Sequence, residues 1–298
     1  MSAADEHLAT RRAAGLFDFS FMGLYEFPKE KELARLQTRN LAALVPGQIA
    51  YTLILNEDGS VFNDATVWRL ADGRFWLFTG RRSDFARFKN HARDRSGEFA
   101  ILALQGPLSG RILARLIGPD AVLSLKYFRF ARHDSMVIGR LGYSGELGYE
   151  VLVPFPAAAA LRNDVLRNND VRECSWEAAN SLRIEAGYVL FDREIDGRAN
   201  PRELGLERLV DEPSRRFAAT RKLVGFEILD EGVEADAPVA RPTSECVSPT
   251  LGKRIALGYV KPQASCGDRV RFDDGRTARV ASLPFYDPQR RRPRDNPL

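Results

Sequence analysis

The sequence predicts an α+β fold with a separate all-β domain at its C-terminus. Strand-like and helix-like segments alternate over the first two thirds of the chain, without the regular period of a doubly wound βαβ sheet. Beyond residue 221 only strand patterns occur, and Asp274-Gly275 supplies a hairpin turn between two of them. Residues 222–298 are therefore predicted to form a small β-barrel or sandwich.

The N-terminal segment predicts two helices on either side of one strand. Residues 5–14 have helical composition, and residues 16–27 alternate bulky and small side chains as a strand does. Residues 29–44 have the apolar spacing of a helix, which Pro46-Gly47 would close.

A β-hairpin over residues 51–67 carries the most informative acidic residue of the chain. Asp58-Gly59 supplies its turn, and a second turn at 71–73 extends it to a three-stranded antiparallel meander over 49–79. Asp64 lies within an otherwise apolar strand, where a carboxylate needs either a local hydrogen bond or a ligand.

The middle of the chain predicts alternating helices and strands before a linker. In order these are a helix over 83–95, a strand at FAILALQG, a helix over 107–117, strands within 124–153, and helices over 156–168 and 175–187. The charged stretch 209–221, which contains Pro213, is predicted to be the linker.

Composition excludes several classes of protein. The 298 residues include 44% hydrophobic and 28% charged residues, as in globular proteins, and no apolar run reaches the ~20 residues of a membrane span. The N-terminus has no apolar signal segment, so a cytoplasmic protein without a membrane partner is predicted. Three cysteines and three histidines lack disulfide-framework or metal-site spacing, which predicts no bound metal.

The net charge of +4 and the pI of about 9.0 describe a mildly basic protein. Much of the excess lies in Arg290–Arg294, which reads as a solvated tail. Such a surface suits an anionic small molecule as well as a nucleic acid.

The candidate functional residues each admit a structural explanation when they are taken singly. Tyr143 could be a core aromatic residue, Glu150 could pair with a cross-strand arginine, and Arg183 could form an ion pair on its helix. The set consists of Tyr51, Asp64, Tyr143, Glu150, Arg183 and the loop 248–253.

Taken together, these residues lie in blocks that resemble the glycine cleavage system T-protein (aminomethyltransferase) superfamily. The blocks occur in the family's order from residue 5 to about residue 285: EHLATRRAAGLFDFSFMG, YTLILNEDGSVFNDATV, LALQGP, GYSGELGYEV, SLRIEAGYVLFDRE, NPRELGL and SPTLGKRIALGYV. Seven ordered blocks are far more specific than any single one of them.

This resemblance implies a three-domain cloverleaf with antiparallel sheets around a central site for tetrahydrofolate. The expected parts are a first α+β domain of residues 1–48 plus 140–208, a second α+β domain of 49–139, the linker 209–221 and the barrel 222–298. The implied activity is transfer of a methyl or methylene unit from a small methylated donor to N5 of tetrahydrofolate.

The resemblance also implies a role for each candidate residue. Asp64 would be the catalytic carboxylate, with Tyr51 beside the folate. Glu150 would accept the two parallel donors of the pterin ring, Tyr143 would contact that ring, and Arg183 would bind a carboxylate or carbonyl of the cofactor.

The chain departs from the family pattern at several positions. A neutral Asn63 replaces one of two adjacent acids, Phe21 replaces a histidine, and Phe191 replaces a tyrosine; Asn63 and Phe191 are counted with the cofactor-binding candidates. The family's opening segment is also missing ahead of the first block, so we expect an N-terminally shortened member. A carrier protein and a companion subunit are both possible partners; the companion subunit would replace the missing segment, whose loss puts docking of a lipoyl carrier in doubt.

These departures suggest an altered one-carbon donor and leave two alternatives to an enzyme. One is a non-catalytic folate-binding or regulatory protein. The other is a tRNA-linked folate protein, which the basic tail Arg290–Arg294 and the occurrence of a related folate-binding fold in tRNA-modifying proteins suggest.

Overall fold

The computed structural model describes residues 2–212, 217–229 and 237–298. Part of the predicted linker 209–221, including Pro213, lies outside the described residues. The helices are α1 (Ala3–Arg12), α2 (Glu30–Ala34), α3 (Phe85–Phe88), α4 (Ser109–Ile117), α5 (Pro119–Ser124), α6 (Phe155–Leu166) and α7 (Trp176–Glu185).

Strands from the whole chain build three sheets. They are β1 (Ala14–Asp18), β2 (Gly23–Phe27), β3 (Ile49–Leu55), β4 (Val61–Arg69), β5 (Phe75–Thr79), β6 (Arg93–Asp94), β7 (Phe99–Gln105), β8 (Phe130–His133), β9 (Met136–Gly139), β10 (Gly148–Pro154), β11 (Val171–Glu173), β12 (Lys222–Ile228), β13 (Ala237–Ser248), β14 (Lys253–Val260), β15 (Arg269–Phe272) and β16 (Thr277–Ala281).

The first sheet has the strand order β11-β1-β7-β10-β9-β8. Its central strands β7 and β10 are antiparallel, and β10 brings Glu150 opposite Ala103. The apolar faces of α4, α5 and α6 cover one side of the sheet, where Leu104 and Tyr149 are fully buried.

The second sheet has the order β3-β4-β5-β2-β6 and contains the predicted meander over 49–79. Gly59 and Gly73 occupy its two turns with φ of +84° and +82°, a conformation that favours glycine. Sheet membership does not follow the predicted domain boundaries, because β2 joins this sheet while β7, β8 and β9 join the first.

The C-terminal strands close into a barrel in the order β12-β14-β13-β15-β16, as the sequence predicted. Phe226 and Phe272 meet edge to face in its core, with ring centroids 5.1 Å apart.

The predicted strand over 16–27 is wrong as a single element. It splits into β1, which pairs with β7, and β2, which pairs with β5. The break lies at Phe19 and Ser20: the Phe19 amide still bonds Ile101, while the Ser20 amide donates to the Asp18 carboxylate. One apolar run thereby serves two different sheets.

The predicted helix over 29–44 is also wrong beyond its first turns. Only α2 and a 3₁₀ turn at Leu41–Ala43 form. Between them, the Thr38 hydroxyl donates to the Leu209 carbonyl and accepts a hydrogen bond from the Leu53 backbone amide. The side-chain amide of Gln37 donates to the carbonyl of Arg39 and accepts from its backbone amide. These side chains satisfy distant or local backbone groups, so helical spacing alone misled the prediction.

The helix predicted over 83–95 is shorter for a related reason. The helix α3 covers only Phe85–Phe88. Arg93 and Asp94 instead form an edge strand that pairs with β2. Arg95 then binds Glu26 of β2 at 2.7 Å, which fixes the extended path.

The C-terminal tail is packed on the fold, which corrects the expectation of a solvated tail. Pro293 is buried, and the guanidinium of Arg294 lies over the ring of Tyr127. Arg140 donates to the Asp295 carbonyl, and Leu298 packs against the core of the first sheet.

Candidate active site

A cavity of about 860 Å³ lies where the two sheets and the barrel meet. Asp64 reaches it from the second sheet, Glu150 from the first, and Lys222 from the barrel. This volume falls in the range of small-molecule and cofactor sites.

The strand register brings Tyr51 and Asp64 together. Leu53 is paired with Asp64 and Tyr51 with Thr66, so Tyr51 and Asp64 are diagonal neighbours on one face of the hairpin. The Tyr51 hydroxyl donates to the Asp64 carboxylate over 2.8 Å, and both side chains line the cavity.

Burial and this hydrogen bond act in opposite directions on the Asp64 carboxyl. Burial disfavours its charged form and raises the pKa to about 6, although the hydrogen bond from Tyr51 lowers it. Burial also raises the pKa of Tyr51 well above its ordinary value, so Tyr51 remains a neutral donor. Asp64 is therefore a carboxyl group poised to exchange a proton close to neutral pH.

The carboxyl group of Glu150 faces the same cavity and has no hydrogen-bond or ion-pair partner among the residues that the structure describes. Glu150 is 6% exposed, and burial raises its pKa to about 7. A buried carboxyl without a partner is costly unless a ligand supplies the missing donors. This group could hold a ligand that presents N–H donors.

Asn63 does not line the cavity, because neighbouring residues of a strand point to opposite faces. Its side-chain amide donates to Asp84 over 2.6 Å, and its oxygen accepts from the backbone amide of Asp64. Arg81 holds the other oxygen of Asp84 at 2.9 Å. Direct contact of Asn63 with a cofactor therefore has no geometric support; the residue positions the backbone of Asp64.

Arg183 does not reach the cavity either. It is 1% exposed and donates to Glu194 at 2.7 Å and to Ser244 of the barrel at 2.6 Å. A third bond goes to the carbonyl of Tyr188. Arg183 and Glu194 thus brace the segment 187–191, which does line the cavity.

Tyr143 and Phe191 both line the cavity. The Tyr143 hydroxyl donates to the Val189 carbonyl at 2.6 Å, and its ring stacks on Tyr188 with centroids 5.9 Å apart. Phe191 presents only its ring, beneath the guanidinium of Arg81.

Several residues that line the cavity were not among the predicted candidates, and the loop 248–253 does not line it. Ser248 and Thr250 bond the buried pair Glu185 and His7 instead of lining the cavity. The missed lining residues include Trp176, Tyr188, Arg290 and Arg294. The aromatic residues at 176 and 188 flank the recognised helix and could have been found from that position, whereas the arginines enter only because the tail folds back.

No group of three or more His, Cys, Asp or Glu side chains is arranged to hold a metal ion in the described part of the chain. None of the helices in the described ranges is long and apolar enough to cross a membrane.

Family models match both parts of the chain. Residues 1–213 match the GCVT N-terminal domain, and residues 221–287 match the glycine cleavage T-protein C-terminal barrel domain. The chain belongs to the glycine cleavage T-protein family.

Several relatives extend over nearly the whole chain. An aminomethyltransferase of Symbiobacterium thermophilum is 36% identical, covering 98% of this chain and 91% of its own. One of Rubrobacter xylanophilus is 32% identical, with 98% and 87% covered. The crystal structure of the glycine cleavage system aminomethyltransferase T from Bartonella henselae aligns with a TM-score of 0.81 and 27% identity, covering 96% of this chain and 90% of that one.

These matches confirm the predicted family, the α+β fold with its C-terminal barrel, and an enzyme of the tetrahydrofolate-dependent aminomethyltransferase type. The individual site residues, the domain boundaries and the donor stay predictions.

Proposed function

We propose that the chain transfers a one-carbon unit from a small donor to N5 of tetrahydrofolate bound in the central cavity. The observation that carries this proposal is a pair of carboxyl groups with different surroundings that face one cavity, a half-buried Asp64 and a buried Glu150. Asp64 is bonded to Tyr51, and Glu150 has no partner within the described ranges. The family supports folate-dependent one-carbon transfer; the donor is part of the proposal.

Glu150 fits the pterin end of the cofactor. The pterin 2-amino group and N3–H are two parallel donors, and a carboxylate accepts both. Because burial raises the pKa of Glu150 to about 7, the bound ligand would stabilise the charged form. We therefore expect the affinity for tetrahydrofolate to rise as the pH increases through about 7.

Asp64 is proposed as the catalytic carboxylate. Tetrahydrofolate supplies the nucleophilic N5 when it is bound. The ionised Asp64 would accept a proton from the acceptor amine and balance the positive charge that develops beside it. Tyr51 would hold Asp64 in place and keep its carboxyl more acidic than burial alone allows.

The remaining predicted residues have supporting roles in this proposal. Tyr143 and Phe191 would form the walls against the bound cofactor. Asn63 and Arg183 would act as positioning residues through Asp84 and Glu194 respectively. The family works with a lipoyl-carrying protein, and an aminomethyl group on such a carrier is one donor to be compared with free methylated compounds.

Two substitutions separate the binding role from the chemical role. Glu150→Gln should weaken tetrahydrofolate binding by tenfold or more in calorimetric titration, since hydrogen bonds to a charged group contribute about 1.5–3 kcal/mol. Asp64→Asn should lower turnover by about 10²–10³ with binding nearly unchanged. Glu57→Gln, on the exposed hairpin turn, is the matched control and should affect neither.

The outcomes that contradict the proposal are specific. Turnover of Asp64→Asn within threefold of the wild type would remove Asp64 from the chemistry. Equal tetrahydrofolate affinity of Glu150→Gln and Glu57→Gln would remove Glu150 from the binding site.

A further inference from the structure

One guanidinium connects the strand that carries Asp64 with the cavity wall at Phe191. Arg81 lies shortly after β5, and its side chain donates to Asp84 over 2.9 Å and to Asp192 over 2.9 Å. The guanidinium also lies over the ring of Phe191, 5.1 Å from its centroid. Because Asp192 is 111 positions away from Arg81 in the sequence, only the fold brings these groups together.

The Asp84 end of this connection is buried. Asp84 is 3% exposed, and each of its oxygens accepts a hydrogen bond, one from Arg81 and the other from the side-chain amide of Asn63 over 2.6 Å. The side-chain oxygen of Asn63 accepts in turn from the backbone amide of Asp64 over 2.9 Å. A continuous series of hydrogen bonds therefore joins Arg81 to the backbone of Asp64.

The Asp192 end of the connection lies at the surface. Asp192 is exposed and has a φ of +57°. It follows Phe191, whose ring packs on Gly80 so tightly that a Cβ there would come within 2.4 Å of the ring. Arg81 thus holds, from the second sheet, the wall segment 187–191 that α7 also braces.

The backbone at Arg81 is held independently of its side chain. The carbonyl of Arg81 accepts hydrogen bonds from the hydroxyl of Tyr25 over 2.9 Å and from that of Thr79 over 3.0 Å. The backbone amide of Asp84 donates to the same carbonyl over 3.3 Å. A change of the side chain should therefore leave this turn in place and remove only the connection.

The connection suits an arginine better than a lysine. Nε of Arg81 bonds Asp84 while Nη1 bonds Asp192, so one planar group serves two carboxylates at once. A lysine ammonium is a compact charge without this fork. Arg81→Lys should therefore keep the charge beside Asp84 while weakening the link between the two carboxylates.

The charge that Arg81 compensates also acts on Asp64. Burial is the main cause of the raised pKa of Asp64, and the charge of Asp84 acts in the same direction. Substitution of Arg81 changes the compensation of Asp84 and leaves the other charged side chains in place. Those that line the cavity or act on Asp64 in the described part of the chain are Glu150, Glu194 with its partner Arg183, Arg208, Lys222, Arg290 and Arg294.

We propose that Arg81 is a positioning residue for the transfer reaction, which ties the strand carrying Asp64 to the cavity wall at Phe191. Through Asp84 it orients the backbone of Asp64, and through Asp192 it holds the wall against which tetrahydrofolate would lie. This inference rests on the proposed function, because Asp64 has its role as proton acceptor only there. It adds a residue that sets the place of that acceptor relative to the bound cofactor.

Carbon-13 NMR of the full-length protein, labelled at its aspartate carboxyl carbons, tests the link to Asp64 without turnover. The Asp64 signal is assigned by its loss in Asp64→Asn. In Arg81→Gln its titration midpoint should rise by about half a pH unit to one pH unit, because Asp84 loses its compensating charge. In Arg81→Lys it should stay within about 0.3 pH unit of the wild type.

Arg82→Gln is the matched control for this titration. It removes the charge of the next residue, which is exposed and donates to the Ser20 carbonyl instead of Asp84. The midpoint of Asp64 should stay at the wild-type value in this variant. An unchanged midpoint in Arg81→Gln, or an equal rise in Arg82→Gln, overturns the proposal.

Calorimetric titration with tetrahydrofolate tests the link to the cavity wall. Asp192→Asn removes the exposed anchor and should weaken the affinity about two- to fivefold, the range that an exposed ion pair supports. Asp134→Asn is the matched control, since Asp134 is also exposed, has a φ of +50° and does not line the cavity. Loss of a negative charge alone would favour an anionic ligand, so weaker binding identifies the lost anchor. Equal affinities of the two variants overturn the proposal, also where Arg81→Gln does not fold.

The response of the wild-type protein separates this inference from the proposed function. Addition of tetrahydrofolate should shift the Asp64 carboxyl signal of the wild type. A wild-type protein that does not bind tetrahydrofolate, or whose Asp64 signal does not respond, contradicts the proposed function, and the role of Arg81 falls with it. A wild-type response that Arg81→Gln reproduces with an unchanged midpoint overturns the role of Arg81 alone.

Discussion

The hydrogen bond from Tyr51 to Asp64 should set the pH at which the enzyme becomes active. In the proposed reaction Asp64 must be ionised, so kcat/KM should rise with pH through the Asp64 pKa of about 6. Tyr51→Phe removes the neutral donor that favours the ionised carboxylate and leaves the burial that opposes it. The midpoint of this limb should therefore move to higher pH.

The size of the shift follows from the energy of the lost bond. A hydrogen bond to a charged group contributes about 1.5–3 kcal/mol, and one pKa unit corresponds to about 1.4 kcal/mol, so a shift of about one to two units is expected. With a midpoint near 7.5 instead of 6, the ionised fraction of Asp64 at pH 7 falls from about 90% to about 25%. Activity should drop about fourfold at pH 7 and recover at pH 9.

The assay is kcat/KM from pH 5 to pH 9 for the wild type, Tyr51→Phe and Tyr149→Phe. Tyr149 is the matched control, because its buried hydroxyl has no hydrogen-bond partner in the described part of the chain and its ring lies in the core of the first sheet. The reasoning is refuted by a Tyr51→Phe profile whose midpoint lies within about 0.3 pH unit of the wild-type midpoint, a difference taken as about the precision of such profiles. It is also refuted by a shift of equal size in Tyr149→Phe.

Further predictions concern stability, each measured as a free energy of unfolding in urea. Asn63→Asp should destabilise by about 3 kcal/mol at pH 7, and less at pH 5, because it sets a second buried carboxylate 2.6 Å from Asp84; unchanged stability would contradict that geometry. Tyr149→Phe should leave stability unchanged or raise it by up to about 1 kcal/mol, since the hydroxyl it removes has no partner among the described residues; a loss of about 2 kcal/mol would contradict this. Burial opposes ionisation of Glu185, but the hydrogen bond from His7 and the charge of Arg11 lower its pKa to about 2. About 3 kcal/mol of folding stability should therefore be present above pH 4.5 and be lost as the pH falls towards 2. In Glu185→Gln this part of the acid dependence of stability should disappear.

Local signals in the sequence predicted the parts of the fold that local interactions determine. The hairpin at residues 51–67 formed as predicted because an Asp-Gly turn and alternating side chains specify it within a few residues. The prediction of a helix over 29–44 was wrong because Thr38 is bonded to Leu209, a partner 171 positions away in the sequence that no local pattern reveals. Tertiary contacts overrode helical spacing there.

The site could be predicted in part for the same reason. Tyr51 and Asp64 belong to one hairpin, so their contact follows from its register. Strand alternation also predicts that Asn63 and Asp64, as neighbours in one strand, cannot face one cavity together. That no described residue bonds the Glu150 carboxyl depends on the packing of all the elements around it, and it could not be predicted from the sequence.

Although Asn63 is neutral, Asp64 is not the only carboxyl group among the described residues that line the cavity. Asn63 points away, and the second carboxyl is Glu150, contributed by the other sheet. Burial raises both pKa values, to about 6 for Asp64 and about 7 for Glu150, and the Tyr51 bond keeps Asp64 the more acidic of the two. At neutral pH Asp64 is thus ionised and ready to accept a proton, while Glu150 becomes fully charged only when a ligand brings donors to it. In the proposed function, the hydrogen bond from Tyr51 contributes to this division between a proton acceptor, Asp64, and a ligand-binding group, Glu150.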